Sequence, residues 1–459
     1  MDYDLTRGDI RRHIFALAVP ASIGFLFHTL FNVTDTWFAG MISTQALAAL
    51  SLSFPIFFMI VSIAGGMSEG ATALIGNALG SGAKEEARHL LNNALMLAAL
   101  LGGLLSLAGY VAAPFLMRHL GADGAYLDEA VGYISVIILG TALFVFSFFS
   151  NAALNAQGDT VSFRNILIVS ALLNIILDYW FVEGGFGISP MGVEGIAVAT
   201  VIIEGITLLY LFYRLVRTPL FAVNVPWRYD PDAMLELARQ GVPPSLNLAL
   251  TAVGIYIITY FASAYGQEVV AAYGIGMRIE QIMLMPAIGL NVAVLAIVAQ
   301  NHGSRSHHRI AEAVRVALGY GAALAVFGGA LLLGASDLLM ELFSSSRGVI
   351  VEGAVYLRIE ALILYPFMVI FVYLAMLQGI KRPGFIFYLS LARQVVLPVA
   401  VLYLLAAAGF GVVSVWAAIA AIVTLSALVT WWYARRELTR LEGLHGLVRM
   451  DELEEERGR

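Results

Sequence analysis

Two aspartates stand where carboxylates are costly. Asp35 lies in the run NVTDTWFAG and Asp178 in NIILDYW, each inside a long apolar stretch. An ionisable side chain held among apolar residues at membrane depth marks a functional site by default. Asn174 precedes Asp178 by four residues, so on a helix the amide and the carboxyl share one face. Two carboxyls at one level in a dry cavity would bind a proton or a small cation readily. Amide and hydroxyl oxygens around them would complete a hydrogen-bond network or a cation shell. The competing reading is two unrelated acids near an interface, each solvated on its own.

The elements that must position these groups follow from composition. The chain has 459 residues, of which 60% are hydrophobic and 13% charged. A soluble domain carries about 25% charged residues. Almost every segment of 20 to 30 residues is apolar all round. In a bilayer lipid satisfies such surfaces, at roughly 20 residues per span. The absence of cysteine rules out disulfides, thiolate metal sites and cysteine nucleophiles. The net charge of −6 owes much to the acidic tail DELEEERGR. The first apolar run, from about Ile14, is too long for a signal segment and is expected to be the first span.

Breaker and charge clusters cut the chain into twelve stretches, near 12–40, 46–77, 87–118, 126–156, 161–182, 192–217, 233–265, 268–300, 308–342, 349–379, 382–407 and 411–436. Arg7, Arg11, Arg12, Lys84, Arg88, Arg164, Arg214, Arg217, Arg305, Arg309, Lys381, Arg382, Arg435 and Arg436 all fall on one side of this count. The positive-inside rule then puts both termini in the cytoplasm, as an even number of spans requires. Asp35 is about five residues before the outer end of span 1, and Asp178 about four before that of span 5. At 1.5 Å per residue both lie roughly 6 to 8 Å inside the outer boundary. Span 6 descends and brings Thr200 to a similar level.

The sequence also repeats. At a shift of 223 residues, Val19-Pro20 and Ser22 match Val242-Pro243 and Ser245, Phe38-Ala39 matches Phe261-Ala262, and Gly80-Ser81 matches Gly303-Ser304. Six spans per half give both halves one orientation, related by an axis along the membrane normal, an arrangement common in carriers with alternating access. The expected domains are an N-terminal six-helix lobe (1–217), a linker (218–232), a C-terminal six-helix lobe (233–440) and an acidic cytoplasmic tail (441–459). The repeat partners of Asp35 and Asp178 are Ile258 and a position near Val399. The carboxylate pair therefore belongs to the N-terminal half alone.

Other polar residues inside spans carry weaker expectations. His28, Phe31, Glu69 and Glu204 are candidate lining of a substrate cavity. Arg278, Glu280 and Glu360 either line that cavity or form structural ion pairs. Pro20 removes a backbone hydrogen bond inside span 1, which makes it either a fixed kink or a hinge.

These motifs together resemble the multidrug and toxic compound extrusion (MATE) family, and within it the DinF-like branch. The likeness rests on VPAS and NVTDTWFAG in span 1, ALIGNALGSGAKEEA, LNAQGDT, NIILDYW, GIGMRIEQIMLMPAIGLNVAVLAIVAQNHG and LQGIKRPGF. The resemblance implies an all-α membrane protein of two six-helix bundles in a V-shaped molecule. It implies export of diverse, often cationic, organic compounds in exchange for H⁺ or Na⁺. It also implies ion-coupling roles for Asp35, Asn174, Asp178, Thr200 and Asn151, with Na⁺ a candidate ligand of Asp35 and Asp178, and bending at Pro20. No enzymatic activity, cofactor or nucleic-acid partner is expected. The expected setting is a bacterial or archaeal inner membrane, with the protein acting as a monomer in the lipid bilayer. A flippase for a lipid-linked or polyprenyl-type substrate is the rival within transport, but the few buried basic residues do not make its cationic cavity. An intramembrane aspartyl protease would need a Tyr-Asp pair, and here the order is Asp178-Tyr179.

Overall fold

Apolar backbone can cross lipid only if each N–H and C=O is satisfied within its own segment, and a helix does this. The structure, a computed structural model, describes residues 4–120, 122–185, 187–221 and 228–457. In chain order the helices are α1 (Ile10–Ile42), α2 (Thr44–Gly80), α3 (Lys84–His119), α4 (Gly124–Leu139), α5 (Thr141–Ala156), α6 (Val161–Glu183) and α7 (Gly192–Val216). They continue as α8 (Pro231–Ser263), α9 (Gln267–Gly303), α10 (His307–Glu341), α11 (Arg347–Gly379), α12 (Gly384–Leu391), α13 (Leu397–Ala407) and α14 (Val412–Arg457). Among the described residues the one β feature is an isolated bridge between Gly185 and Ile188, in the loop before α7.

Among the described residues eleven spans are long and apolar enough to cross a membrane, and α4 with α5 makes a twelfth, bent by 42°. The bend sits at Gly140, where a Cβ would lie 2.6 Å from a methyl group of Val201 on α7. Only a residue without a side chain lets the corner approach α7 this closely. The eleventh span joins α12 to α13 through a π-helical turn, Ala392–Val396. That wide turn already interrupts the regular bonding ladder, so the missing N–H of Pro398 costs little there.

The chain packs into two compact units. One comprises residues 23–75 and 83–249, that is, most of α1 and α2, all of α3 to α7, and the first half of α8. Its close approaches use glycine: a Cβ on Gly66 would fall 2.1 Å from the backbone nitrogen of Ser245, and one on Gly70 2.6 Å from that of Gly241. An apolar cluster including Phe38, Ile60, Met117, Ile134, Ile138 and Ile196 fills the region around α4.

The other unit comprises residues 1–22, 76–82 and 250–459. It is built on α9 and α11, whose C-terminal turns are among the most buried in the chain. Polar side chains tie its short segments down: Asn77 donates to the carbonyl of Gly379 at 2.8 Å, and Leu5 N–H donates to Gln300 at 3.0 Å. This grouping by packing does not follow a cut at the linker, because α1 changes units after Ser22 and α8 after Ala249. Of the linker, residues 222–227 lie outside the described residues, as do 458–459 of the tail.

Candidate functional site

Three helices of the first unit bring the sequence-selected residues together. Asp35 comes from α1, Asn174 and Asp178 from adjacent turns of α6, and Thr200 from α7. The α6 pair shares a face because four residues make about one helical turn. Asn174 Nδ2 donates to Asp35 Oδ1 at 2.8 Å and to Asp178 Oδ2 at 3.0 Å, so one amide bridges the two carboxyls. Thr200 Oγ1 lies 3.4 Å from Asp35 Oδ2 and 3.0 Å from the carbonyl oxygen of Ile196. Asn174 and Asp178 are fully buried, and Asp35 is 6% exposed.

Donor counting shows what this arrangement lacks. Asn174 spends both amide hydrogens on the carboxyls. Thr200 has one hydroxyl hydrogen, and the nearer acceptor is the Ile196 carbonyl. Among the described residues no hydrogen-bond donor reaches the buried Asp178 Oδ1 or Asn174 Oδ1. A buried oxygen without a partner costs about 1–3 kcal/mol. Two carboxyls face one another here, and the protein supplies fewer donors than their oxygens can accept. Either a proton carried by one carboxyl or a small bound cation would satisfy these oxygens.

Tyr133, on α4, was not singled out by sequence. It is buried and faces both carboxyls. A tyrosine in a membrane span is ordinary, and nothing local marks this one. The signal lay in the repeat, since Tyr133 plus 223 is Tyr356.

The remaining expected residues are not brought into the network. Asn151, on α5, is buried with its Oδ1 unpartnered, and no hydrogen bond joins it to the quartet. His28 and Phe31 are half-buried on α1, about two turns and one turn before Asp35 respectively. Glu69 is half-buried on α2, and Glu204 on α7 neighbours Ser147 of α5. Among the described residues no group of three or more His, Cys, Asp or Glu is placed to hold a metal ion.

These features define an all-helical membrane protein with a sealed carboxyl pair in one half of a repeated chain. The profile of the MatE family matches it twice, at residues 20–180 and 243–404, offset by the same 223 residues at their starts. The chain belongs to the MatE family. It is 29% identical to the probable multidrug resistance protein NorM of Thermotoga maritima over 313 residues, 67% of this chain and 66% of that protein. It is 27% identical to a FAD transporter of Shewanella oneidensis over 405 residues, 86% of this chain and 88% of that one. The match thus spans about two thirds of the first of these relatives and most of the second. The fold is shared with an outward-facing multidrug resistance MATE transporter, at a TM-score of 0.90 and 24% identity over 96% of this chain and 99% of that one.

Proposed function

We propose that this protein exports organic compounds across a bacterial or archaeal inner membrane by alternating access, driven by inward movement of H⁺ or Na⁺ through the Asp35–Asn174–Asp178–Thr200 site. The observation that carries this reading is the bridge made by Asn174 between two buried carboxyls that lack donors. Asp35 and Asp178 are the groups that take up the ion, and Asn174 keeps them at a fixed spacing. The Thr200 hydroxyl donates toward Asp35 Oδ2 at 3.4 Å and toward the Ile196 carbonyl at 3.0 Å, so its one hydrogen is shared between them and satisfies Asp35 only in part. Family membership and the relative named for multidrug resistance support export. The relative named a FAD transporter extends the substrate class to larger anionic compounds. The half-buried His28, Phe31, Glu69 and Glu204 are the residues from which substrate contacts would come, and the protein works as a monomer with both termini in the cytoplasm.

The test is transport by purified protein in liposomes, with a proton gradient and a sodium gradient imposed separately. One gradient drives uptake of a fluorescent substrate, and Asp35→Asn and Asp178→Asn each reduce that uptake at least tenfold. Full gradient-driven transport by both variants rejects the proposal.

A further inference from the structure

Four groups in the other unit are used by nothing described so far. Tyr356 and Glu360 lie one turn apart on α11, Glu280 lies on α9, and Arg393 sits on the π-helical turn between α12 and α13. Tyr356 Oη donates to Glu280 Oε2 at 2.6 Å, and Glu360 neighbours Tyr356 one helical turn further along α11. Glu360 is 2% exposed, and its Oε2 has no donor. Arg393 faces Glu280 with its Nε buried and unpartnered. Wide turns of this type are frequent at functional sites because they re-aim side chains.

Aromatic rings close the region. Trp416 of α14 stacks on Tyr273 of α9 at 5.5 Å and meets Tyr356 edge-on at 5.2 Å. Gly276 makes room for Tyr356, since a Cβ there would lie 2.4 Å from its ring. The charges and titratable groups that face the cluster are Tyr273 from α9 and Arg393 from the π-helical turn. Helix α14 contributes the uncharged Trp416, and α10 contributes glycine backbone, with Gly329 against Ala361. Arg278 is exposed, and Arg358 is paired with Asp337 on an exposed face.

We propose that Glu360, Tyr356 and Glu280 bind one proton between them, a second protonation site separate from the Asp35–Asp178 pair. Tyr356 has a single hydroxyl hydrogen and gives it to Glu280, so an ionised Glu360 would turn a bare anion toward an oxygen with nothing left to donate. A proton on Glu360 can be donated to the free lone pair of Tyr356 Oη, giving a continuous chain from Glu360 through Tyr356 to Glu280. Charge counting agrees. Two carboxylates and one guanidinium sum to −1, and one proton brings a region with a buried Glu360 and half-buried Glu280 and Arg393 to zero.

The repeat supplies an independent pointer. Tyr356 occupies the repeat position of Tyr133, which faces the carboxyl pair of the first unit. Each half therefore sets a tyrosine at the same repeat position beside two carboxyls. In the N-terminal half the acids come from spans 1 and 5, and in the C-terminal half from spans 8 and 10, which is why residue-by-residue matching of the two aspartates does not find them. The site stands whether or not the protein is an exporter.

The experiment is infrared difference spectroscopy of the full-length protein against pH, in an Asp35→Asn/Asp178→Asn background that removes the first pair. A protonated-carboxyl band remains and disappears on alkalinisation. It is lost on adding Glu360→Gln. Tyr356→Phe keeps both carboxyls but removes the hydroxyl that donates to Glu280, and it raises the proton affinity at least tenfold, so the band persists to higher pH. Thermal melting checks the fold of each variant, and Tyr356→Phe alone decides the matter if Glu360→Gln does not fold. Absence of any residual band, or a band unchanged by these variants, overturns the proposal.

Discussion

A single amide, that of Asn174, supplies both N–H donors that Asp35 and Asp178 share, so the two carboxyls depend on one side chain for their spacing and for most of their polar satisfaction. Replacing it with leucine keeps the volume and removes the donors. Two buried carboxyls are then left with Thr200 as the nearest polar neighbour, at 3.4 Å from Asp35. Asn174→Leu is expected to destabilise the protein by about 1–3 kcal/mol, the cost of one or two orphaned buried polar groups. Asp178→Asn keeps shape and hydrogen-bonding capacity and is expected to shift stability by less than about 1 kcal/mol while removing a charge the ion needs. Thermal melts of the two variants in one detergent separate these cases, and an Asp178→Asn protein that melts as early as Asn174→Leu contradicts the assigned division of roles.

Among the elements, α1 carries the clearest mechanical expectation. Pro20 stands inside an otherwise continuous helix, so the carbonyl of Ala16 loses its regular donor. The helix changes packing unit two residues later, after Ser22, whose hydroxyl donates to the carbonyl of Ala18 at 2.8 Å. An interior proline costs a helix about 3 kcal/mol. Pro20→Ala is therefore expected to raise thermal stability, and if Pro20 is a hinge it slows transport at least several-fold. A stabilised variant with unchanged transport makes the proline a fixed bend. A second expectation concerns the start of α8. Asp230 accepts a hydrogen bond in a 2.8 Å contact with His89 Nε2 and accepts from the N–H groups of Asp232 and Ala233, anchoring the linker's end to α3. The hydrogen bond with His89, and then those backbone donors, hold the Asp230 carboxyl below its ordinary value of 3.8. Because its affinity for protons falls on folding, its stabilising contribution is present above that value and lost as pH falls below it. The stability difference between the wild type and Asp230→Ala thus shrinks as pH falls below about 4. A difference that grows on acidification contradicts the anchor. What the sequence could reveal among these elements follows from how each signal is encoded. Twelve spans and the Asp35, Asn174, Asp178 and Thr200 quartet were legible because burial cost and helical depth are written into local sequence. The corner at Gly140 was not, since it depends on the approach of Val201 from α7. Nor was the partnership of Glu280 with Tyr356 and Arg393, which spans three elements and relies on a π-helical turn that rephases the eleventh span.

At the scale of the whole molecule, the proposed exchange has an electrical signature set by how many charges cross per cycle. With one H⁺ or Na⁺ entering at the Asp35–Asp178 site for each molecule exported, a neutral substrate makes the cycle move one net charge inward. A singly cationic substrate makes it electroneutral. Moving one charge through 100 mV is worth about 2.3 kcal/mol, which corresponds to about a fiftyfold change in the attainable gradient. Liposomes holding a potassium diffusion potential, inside negative and with no ion gradient across the coupling ion, distinguish the two cases. For protein oriented as in the cell, a neutral dye is expelled against a gradient that steepens with voltage toward that limit, while a monocationic dye of similar size shows no voltage dependence attributable to the carrier. Voltage-insensitive export of the neutral dye means that no net charge crosses, which requires either a compensating proton from the Glu280–Glu360 cluster or a carboxyl pair that does not carry the ion. The Glu360→Gln variant separates these outcomes: if the cluster carries the compensating charge, its loss makes neutral-dye export voltage-sensitive, and if the pair is idle, the variant changes nothing.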